Sequence, residues 1–146
     1  MNPNILLSDR VRVAGAIDPD AYAAGTVTTG WISMATYGSL LAIVMAGTLG
    51  SSATLDAKIE EAKDSSGTDA QDLTDKAITQ LTQAGTDSDK QALINVRSDE
   101  LSADFTHVRL SMTVGTATSD AGAVVLGGDA RFEPATDAAS VDEIVA

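Results

Sequence analysis

The chain has 146 residues, no cysteine and a formal net charge of −12 at pH 7, from 21 acidic and 9 basic residues. A chain of this length fits one domain with one hydrophobic core, and the lack of cysteine excludes disulfides and thiolate metal sites. The negative charge repels phosphate backbones, and because no local basic patch offsets it, we expect no nucleic-acid partner.

Three strands are predicted in the first third of the chain. Residues 4–14 interleave β-compatible and polar side chains, and residues 15–20 supply the turn that follows. Residues 25–34 are rich in Thr and Val, which favour a pleated, half-buried surface. Residues 39–48 are nearly continuous in aliphatic side chains. This last run predicts a central strand that is covered on both faces.

The middle of the chain contains two ambiguous segments. In residues 53–63, the apolar side chains fit helical spacing and also strand alternation with charged residues, and propensity alone favours a helix. Residues 69–85 carry apolar side chains at helical spacing, with Asp69 as a potential N-cap and Gly85 as a potential stop. A short helix near 69–84 and a polar strand both fit this second segment.

The last third of the chain predicts further strands. Residues 91–97 form a short β-branched run, and residues 105–114 alternate cleanly between polar and apolar side chains. Residues 121–126 follow a turn and are predicted to pair with 105–114 as a hairpin that ends at Gly127 and Gly128. Short strands at turn-marked intervals predict an all-β single domain, a β-sandwich or jelly roll.

The domain is expected to span residues 1–134, with residues 1–4 as an N-terminal arm. Residues 135–146 form a weakly apolar C-terminal tail that we expect to be mobile or docked on a neighbour. The longest apolar run, residues 40–46, is far too short to span a bilayer, so no membrane association is expected.

Few residues offer catalytic or metal-binding chemistry. His107 is the only histidine, and its place in an alternating strand favours a cross-strand contact over a catalytic role. The Asp-rich turns 64–69 and 87–89 offer oxygens to calcium but lack EF-hand spacing, so solvated turns are the simpler interpretation. Glu60 and Glu61 are adjacent and would face opposite sides of a strand. We therefore expect no catalytic residues, no metal and no cofactor, and a protein that is not an enzyme.

Trp31 and Tyr37 leave a carbohydrate-binding module open as an alternative. They would form a sugar platform if both were exposed on one face. Because aromatic residues make up only 3 % of the chain, covering the core or an interface edge is the simpler interpretation.

Four stretches of the sequence, taken in order, resemble small virion proteins of tailed bacteriophages, the capsid decoration (cement) proteins. They are KIEEAKDSSG at 58–67, ALINVR at 92–97, FTHVRLSMTVG at 105–115 and AVVLGGDARFEP at 123–134. The resemblance covers about residues 27–134, and the order of the stretches supplies most of its specificity. It implies a β-sandwich or jelly roll, assigns a strand to residues 58–63 against their helical propensity, and brings no active-site residues.

The resemblance also implies a function. Such a protein decorates and stabilises the icosahedral head by bridging major capsid subunits, so its expected partners are the major capsid protein and itself, as a homotrimer. Its expected location is the outer capsid surface of the virion, after assembly in the host cytoplasm. A head-completion or tail protein is the alternative from the same particle. The candidate interface residues are Asn2, Ile5, Leu7, Trp31, Tyr37, Val141 and Ile144.

Overall fold

The computed structural model of the protein describes residues 5–145, which form ten β-strands and two very short helices. In chain order the elements are α1 (Leu7–Arg10), β1 (Arg12–Tyr22), β2 (Gly25–Thr28), β3 (Ile32–Ser33), β4 (Tyr37–Ala46), β5 (Thr54–Ala62), β6 (Gln71–Ala77), β7 (Leu81–Thr82), β8 (Gln91–Arg97), a 3₁₀ turn (Ser98–Glu100), β9 (His107–Gly115) and β10 (Ser119–Ala130). The predicted all-β class is confirmed.

The strands form two antiparallel sheets packed face to face. The first sheet has the order β1-β10-β4-β8, and the second has the order β2-β9-β5-β6. Two short strands extend the second sheet, since β3 pairs with β9 and β7 pairs with β5. The chain crosses repeatedly between the sheets, and its first strand lies beside its last. This strand order is that of a jelly roll, one of the two predicted architectures.

The core lies between the sheets and is almost entirely aliphatic. Val44, Leu55 and Leu110 come from three different strands, and each is 0 % exposed. Fully burying side chains of this size contributes roughly 1.5–3 kcal/mol each. Tyr37 is the aromatic member of the core, and its ring packs directly over Gly127, where a Cβ atom would collide with it. Close packing of small and branched side chains therefore replaces aromatic bulk.

Several strand predictions are confirmed. Residues 25–34 contain β2 and β3, residues 91–97 coincide with β8, and residues 105–114 overlap β9. Residues 53–63 form β5, so the strand implied by the resemblance overrides the helical propensity. Residues 39–48 largely coincide with β4, which is central as predicted, but only its inward face is fully covered.

The predicted first strand is wrong in its position. Residues 7–10 are helical, and β1 runs through residues 15–20, where a turn was predicted. The chain buries Ile17 at 5 % exposure and leaves Leu7 75 % exposed, so the core selects the later segment. Pro19 lies at a register shift on this edge strand, where its missing N–H costs little ladder bonding.

The predicted helix near 69–84 is wrong, and the polar-strand alternative is correct. β6 and β7 occupy this segment and pair with β5. Asp69 and Asp75 have φ of 55° and 59°, which a helix does not allow. Leu73 is the buried residue of β6. The other side chains of this strand are exposed or partly exposed at the edge of the sheet.

The predicted hairpin between residues 105–114 and 121–126 is wrong. β10 pairs with β1 and β4 in the first sheet, while both sides of β9 are occupied by β2, β3 and β5. β10 also continues through Gly127 and Gly128 to Ala130 without a turn, and Gly127 makes room for the Tyr37 ring.

Part of the predicted C-terminal tail contacts β1. The Ala138 N–H donates to the Val13 carbonyl at 2.8 Å, and the Val13 N–H donates to Asp137 Oδ1 at 2.8 Å. Arg12 Nη1 lies 3.0 Å from Asp137 Oδ2. These bonds cover an edge strand that would otherwise present free backbone groups. The domain boundary at residue 134 stays a prediction.

Candidate functional site

The two sheets present chemically different outer faces. On the second sheet, outward side chains are charged or hydroxylated and pair with each other: Arg109 Nε lies 2.6 Å from Glu60 Oε2, and Lys58 Nζ lies 2.6 Å from Asp72 Oδ1. On the first sheet, the outward side chains of the strands are mostly aliphatic. A solvated sheet face normally carries polar residues, so the first sheet is the exception.

The outward aliphatic side chains of the first sheet form what we call the apolar face. Its members are Val13, Ala16, Leu41, Ile43, Met45, Leu93, Val124 and Leu126. Cross-strand pairing places them in rows, because Ile43 lies opposite Val124 on one side and Leu93 on the other. Leu93 is 60 % exposed and Met45 is 41 % exposed. The patch is therefore contiguous and open to a partner.

The apolar face has the size of a modest interaction surface. Its eight side chains, on strands about 4.8 Å apart and in rows about 6.7 Å apart, cover about 260 Å². Apolar patches approaching this size occur on ordinary monomers and are often functional. The area is about a third of what one partner contributes to a standard protein interface, roughly 800 Å².

The N-terminal helix extends the apolar face at one end. Leu7 and Val11 line a groove of about 420 Å³ together with Leu41 and Leu126. Leu7 is 75 % exposed and Ile5 is 41 % exposed. Two of the interface candidates predicted from the sequence, Ile5 and Leu7, thus lie in the segment that continues this surface.

An acidic cleft lies at the opposite end of the apolar face. Its volume is about 640 Å³, and it is lined by Pro19, Asp20, Ala21, Met45, Ala46, Gly47, Asp89, Gln91, Asp120, Ala121 and Gly122. Asp20, Asp89 and Asp120 form no ion pair within residues 5–145. The pKa of Tyr22, near this cleft, is raised above its ordinary value. The main cause is desolvation, and the negative charges of Asp20 and Asp18 add to it.

The candidate catalytic residues do not form a catalytic arrangement. His107 Nδ1 lies 2.8 Å from Thr106 Oγ1, but that hydroxyl donates its proton to the Lys63 carbonyl at 2.6 Å. Glu60 faces the outside of the second sheet, and Glu61 is buried on the inside at 1 % exposure. Within residues 5–145, no group of three or more His, Asp or Glu side chains is arranged to hold a metal ion.

The two Asp-rich turns use their carboxylates internally. Asp64 Oδ2 accepts the Thr68 hydroxyl at 2.6 Å, and this bond is the main cause that lowers the pKa of Asp64. Asp87 Oδ2 accepts the Thr82 N–H at 2.9 Å, which is likewise the main cause that lowers the pKa of Asp87. Both carboxylates are therefore turn-forming acceptors, as the interpretation of these segments as solvated turns expects.

Trp31 and Tyr37 do not share an exposed face. The Trp31 ring lies on the second sheet, 4.5 Å from the Arg109 guanidinium carbon. Tyr37 is 5 % exposed between the sheets, and its hydroxyl donates to the Thr136 carbonyl at 3.3 Å. A sugar platform made of both rings is therefore not available, and Tyr37 offers almost no surface to a partner.

The remaining interface candidates occupy the tail or lie outside the described residues. Val141 and Ile144 line a shallow groove made only of tail residues, and Ile144 is 50 % exposed. Asn2 is outside the described residues. The interface roles of these residues, and of Ile5, Leu7 and Trp31, stay predictions.

The main members of the apolar face were missed in the sequence. The signal was present in residues 39–48, whose continuous aliphatic run makes both faces of β4 apolar. A continuous aliphatic run does not by itself reveal that no other element within residues 5–145 packs over the outer face of β4. Leu93 has a polar neighbour on its own face at Gln91 and another at Asn95, so its row became visible only through pairing with Ile43.

None of the helices within residues 5–145 has the length and apolar character needed to cross a bilayer.

Strand order and surface chemistry define a jelly-roll domain with one sheet face suited to protein contact. No protein-family model and no curated protein matches the sequence. Similar solved structures include that of the infectious bursal disease virus Gx strain, with 16 % identity, a TM-score of 0.47, and a match over 91 % of this chain and 36 % of that chain. The VP2 subviral particle of the same virus has 19 % identity, a TM-score of 0.46, and a match over 88 % of this chain and 36 % of that chain. A third is the empty virus-like particle of Cowpea Mosaic Virus, with 8 % identity, a TM-score of 0.49, and a match over 94 % of this chain and 91 % of that chain. This chain thus spans 36 % of the length of the bursal disease virus chains. The jelly-roll assignment rests on the strand order.

Proposed function

We propose that this chain is a structural virion protein that decorates and stabilises the icosahedral head of a tailed phage by bridging major capsid subunits. The observation that carries the proposal is the apolar face, which lies on a domain with a net charge of −12. Such a face is costly in contact with water and favourable when a partner covers it. The four stretches of sequence that resemble decoration proteins support the major capsid protein as that partner.

The energetics of the apolar face favour a multivalent partner. Covering about 260 Å² at roughly 25 cal/mol per Å² contributes about 6–7 kcal/mol before costs. Association itself costs an estimated 4–15 kcal/mol, so a single face gives weak or moderate affinity. A homotrimer that engages several capsid subunits makes the later contacts effectively intramolecular, which gives lasting occupancy.

Stabilisation of the head then requires no chemical step and no cofactor. A protein that binds the assembled lattice and not the free subunit shifts the assembly equilibrium by mass action. In this proposal, the protein acts on the outer surface of the virion, after heads have assembled in the host cytoplasm.

Binding of the purified chain to expanded heads that lack it tests the proposal. We expect the chain to sediment with the heads at saturating stoichiometry, and reconstruction of intact virions to show it as external density near the symmetry axes. A monomer that does not bind heads would contradict the proposal. Presence in only a few copies, or as a single ring, would favour a head-completion or tail protein.

A variant pair links this binding to the apolar face. Leu93→Asp places a charge at the exposed β8 end of a row, while Thr74→Asp adds the same charge at an exposed position of the second sheet. Both side chains face water in the free chain, so circular dichroism should show folded protein for both. We expect Leu93→Asp to lose head binding and Thr74→Asp to keep it.

A further inference from the structure

We infer that the apolar face and the acidic cleft together dock a partner surface whose aliphatic patch carries a Lys or Arg side chain that enters the cleft. The inference rests on the proposed function and deepens it by assigning the chemistry and the orientation of the partner. The partner is a protein other than a second copy of this chain.

The cleft combines the two features that a long basic side chain requires. Pro19 and Met45 supply its apolar floor, and Asp20, Asp89 and Asp120 also line it. Lys and Arg bury an aliphatic stem and keep a charged head among polar groups. Met45 is flexible enough to adapt to either stem. An acidic side chain or an uncharged aliphatic one would satisfy only the floor.

Within residues 5–145, no basic side chain pairs with a carboxylate of the cleft. The nearest base in sequence, Lys90, is 3.1 Å from Asp87 Oδ1 and is already paired. Asp20 Oδ1 accepts the Ala21 N–H at 2.7 Å, but the charge of its carboxylate stays uncompensated. The three carboxylates therefore concentrate negative potential at one end of the apolar face, where it would guide an approaching cation.

A second copy of the chain is a poor source of that cation. Seven of its nine basic side chains already pair with carboxylates, namely Arg12, Lys58, Lys63, Lys76, Lys90, Arg97 and Arg109. A copy also carries a net charge of −12, so bringing another copy to an acidic cleft is opposed by repulsion. A partner with a basic patch is attracted to the cleft electrostatically, whereas a second copy is repelled.

Continuity with the apolar face gives the orientation. Met45 and Gly122 line the cleft, and each also belongs to an outward row of the first sheet, since they lie opposite each other in β4 and β10. A partner that covers Leu93 and Ile43 therefore reaches the cleft without leaving the surface. Its cation must lie at the edge of its own aliphatic patch.

Two charge-matched double variants test the inference in the head-binding assay. Asp89→Asn/Asp120→Asn removes two of the three carboxylates of the cleft, and Asp75→Asn/Asp104→Asn removes the same charge elsewhere. Asp75, Asp89 and Asp104 have φ between 59° and 70°, which Asn tolerates, so neither pair should introduce backbone strain. Two exposed ion pairs correspond to a loss of about 3- to 30-fold in affinity. We expect that loss, with a weaker dependence on salt, for the cleft variant, and less than a two-fold change for the control.

Each other outcome overturns either the inference or the proposed function, and the two are separable. If the wild-type chain does not bind heads, the proposed function fails. If the wild type binds and the cleft variant binds equally well, or the control weakens as much, the function stands and the basic side chain is refuted. If Leu93→Asp instead converts a wild-type oligomer to monomers in sedimentation, the face joins copies of this chain, which also refutes the inference.

Discussion

Replacing Glu61 with Gln tests whether a buried carboxylate fixes the segment before β9 onto β5. Glu61 is 1 % exposed and accepts three hydrogen bonds, from Gln71 Nε2 at 2.7 Å, the Ser102 N–H at 2.8 Å and the Ser102 hydroxyl at 2.5 Å. Gln keeps the size but turns one oxygen into a donor, so at least one of the three donors loses its acceptor. Because a hydrogen bond to a charged group contributes about 1.5–3 kcal/mol, we expect Glu61→Gln to lower the free energy of unfolding by about 2 kcal/mol.

Glu61→Ala removes both acceptor oxygens, and with them all three hydrogen bonds, and should cost more. The loss stays near 3–4 kcal/mol, or roughly two such bonds, because the side chains of Gln71 and Ser102 are exposed and can regain water.

Urea unfolding, followed by the fluorescence of the single tryptophan and by circular dichroism, measures both losses. For a chain of this length, a loss of about 2 kcal/mol corresponds to a decrease of about 6–7 °C in Tm. Glu133→Gln makes the same chemical change at an exposed position and should alter stability by less than about 0.5 kcal/mol. If Glu61→Gln is no more destabilising than Glu133→Gln, the network described around Glu61 does not stabilise the fold.

Three further perturbations have defined outcomes. Gly67→Ala should lower Tm and shift the fluorescence of Trp31, because φ is 82° and a Cβ would lie 2.7 Å from the indole Nε1; an unchanged spectrum would contradict this packing. Leu110→Ala should lower the free energy of unfolding by about 3–4 kcal/mol in urea titrations, since the side chain is 0 % exposed, and a loss below about 1 kcal/mol would refute its place in the core. Asp87→Asn should destabilise near neutral pH but not in acid. The folded-state pKa of Asp87 is lowered chiefly by the Thr82 N–H, so its contribution is present above its unfolded pKa of about 3.8 and is lost as pH falls through the lower folded value. Urea midpoints of wild type and variant should therefore converge below about pH 4, and a constant gap would contradict this cause.

Local patterns predicted strands well where burial alternates along a single strand. Val108, Leu110 and Met112 point into the core, and the polar residues Arg109 and Ser111 between them lie on the opposite face, so the period of two is visible in the sequence. The same rule could not decide residues 53–63, because their spacing suits a helix as well as a strand. Partner strands on both sides of β5 decided the matter in the structure.

Pairing and strand position were not readable because they depend on distant residues. β9 and β10 are neighbours in sequence, yet each pairs with strands far from it, so a local hairpin rule fails. The signals in Asp18 and Pro19 describe a turn in isolation, but an edge strand with a register shift also accommodates them. For the candidate site, the sequence suggested Ile5 and Leu7, whose interface role stays a prediction, while the row through Ile43 and Leu93 emerged only when β8 lay against β4.

The pairing of the first strand with the last has a consequence for how the protein folds. Arg12 lies opposite Gly127, and β10 is also the strand that joins β1 to β4. The first sheet therefore cannot close until β10 arrives, and chains dominated by such distant pairings fold in milliseconds to seconds rather than microseconds. Until then, the edge of β4 that pairs with β10 lacks its neighbour, and unpaired aliphatic strands are prone to aggregate during synthesis. The negative charge of the chain then has a second use, because mutual repulsion keeps unfinished chains apart while they wait for their last strand.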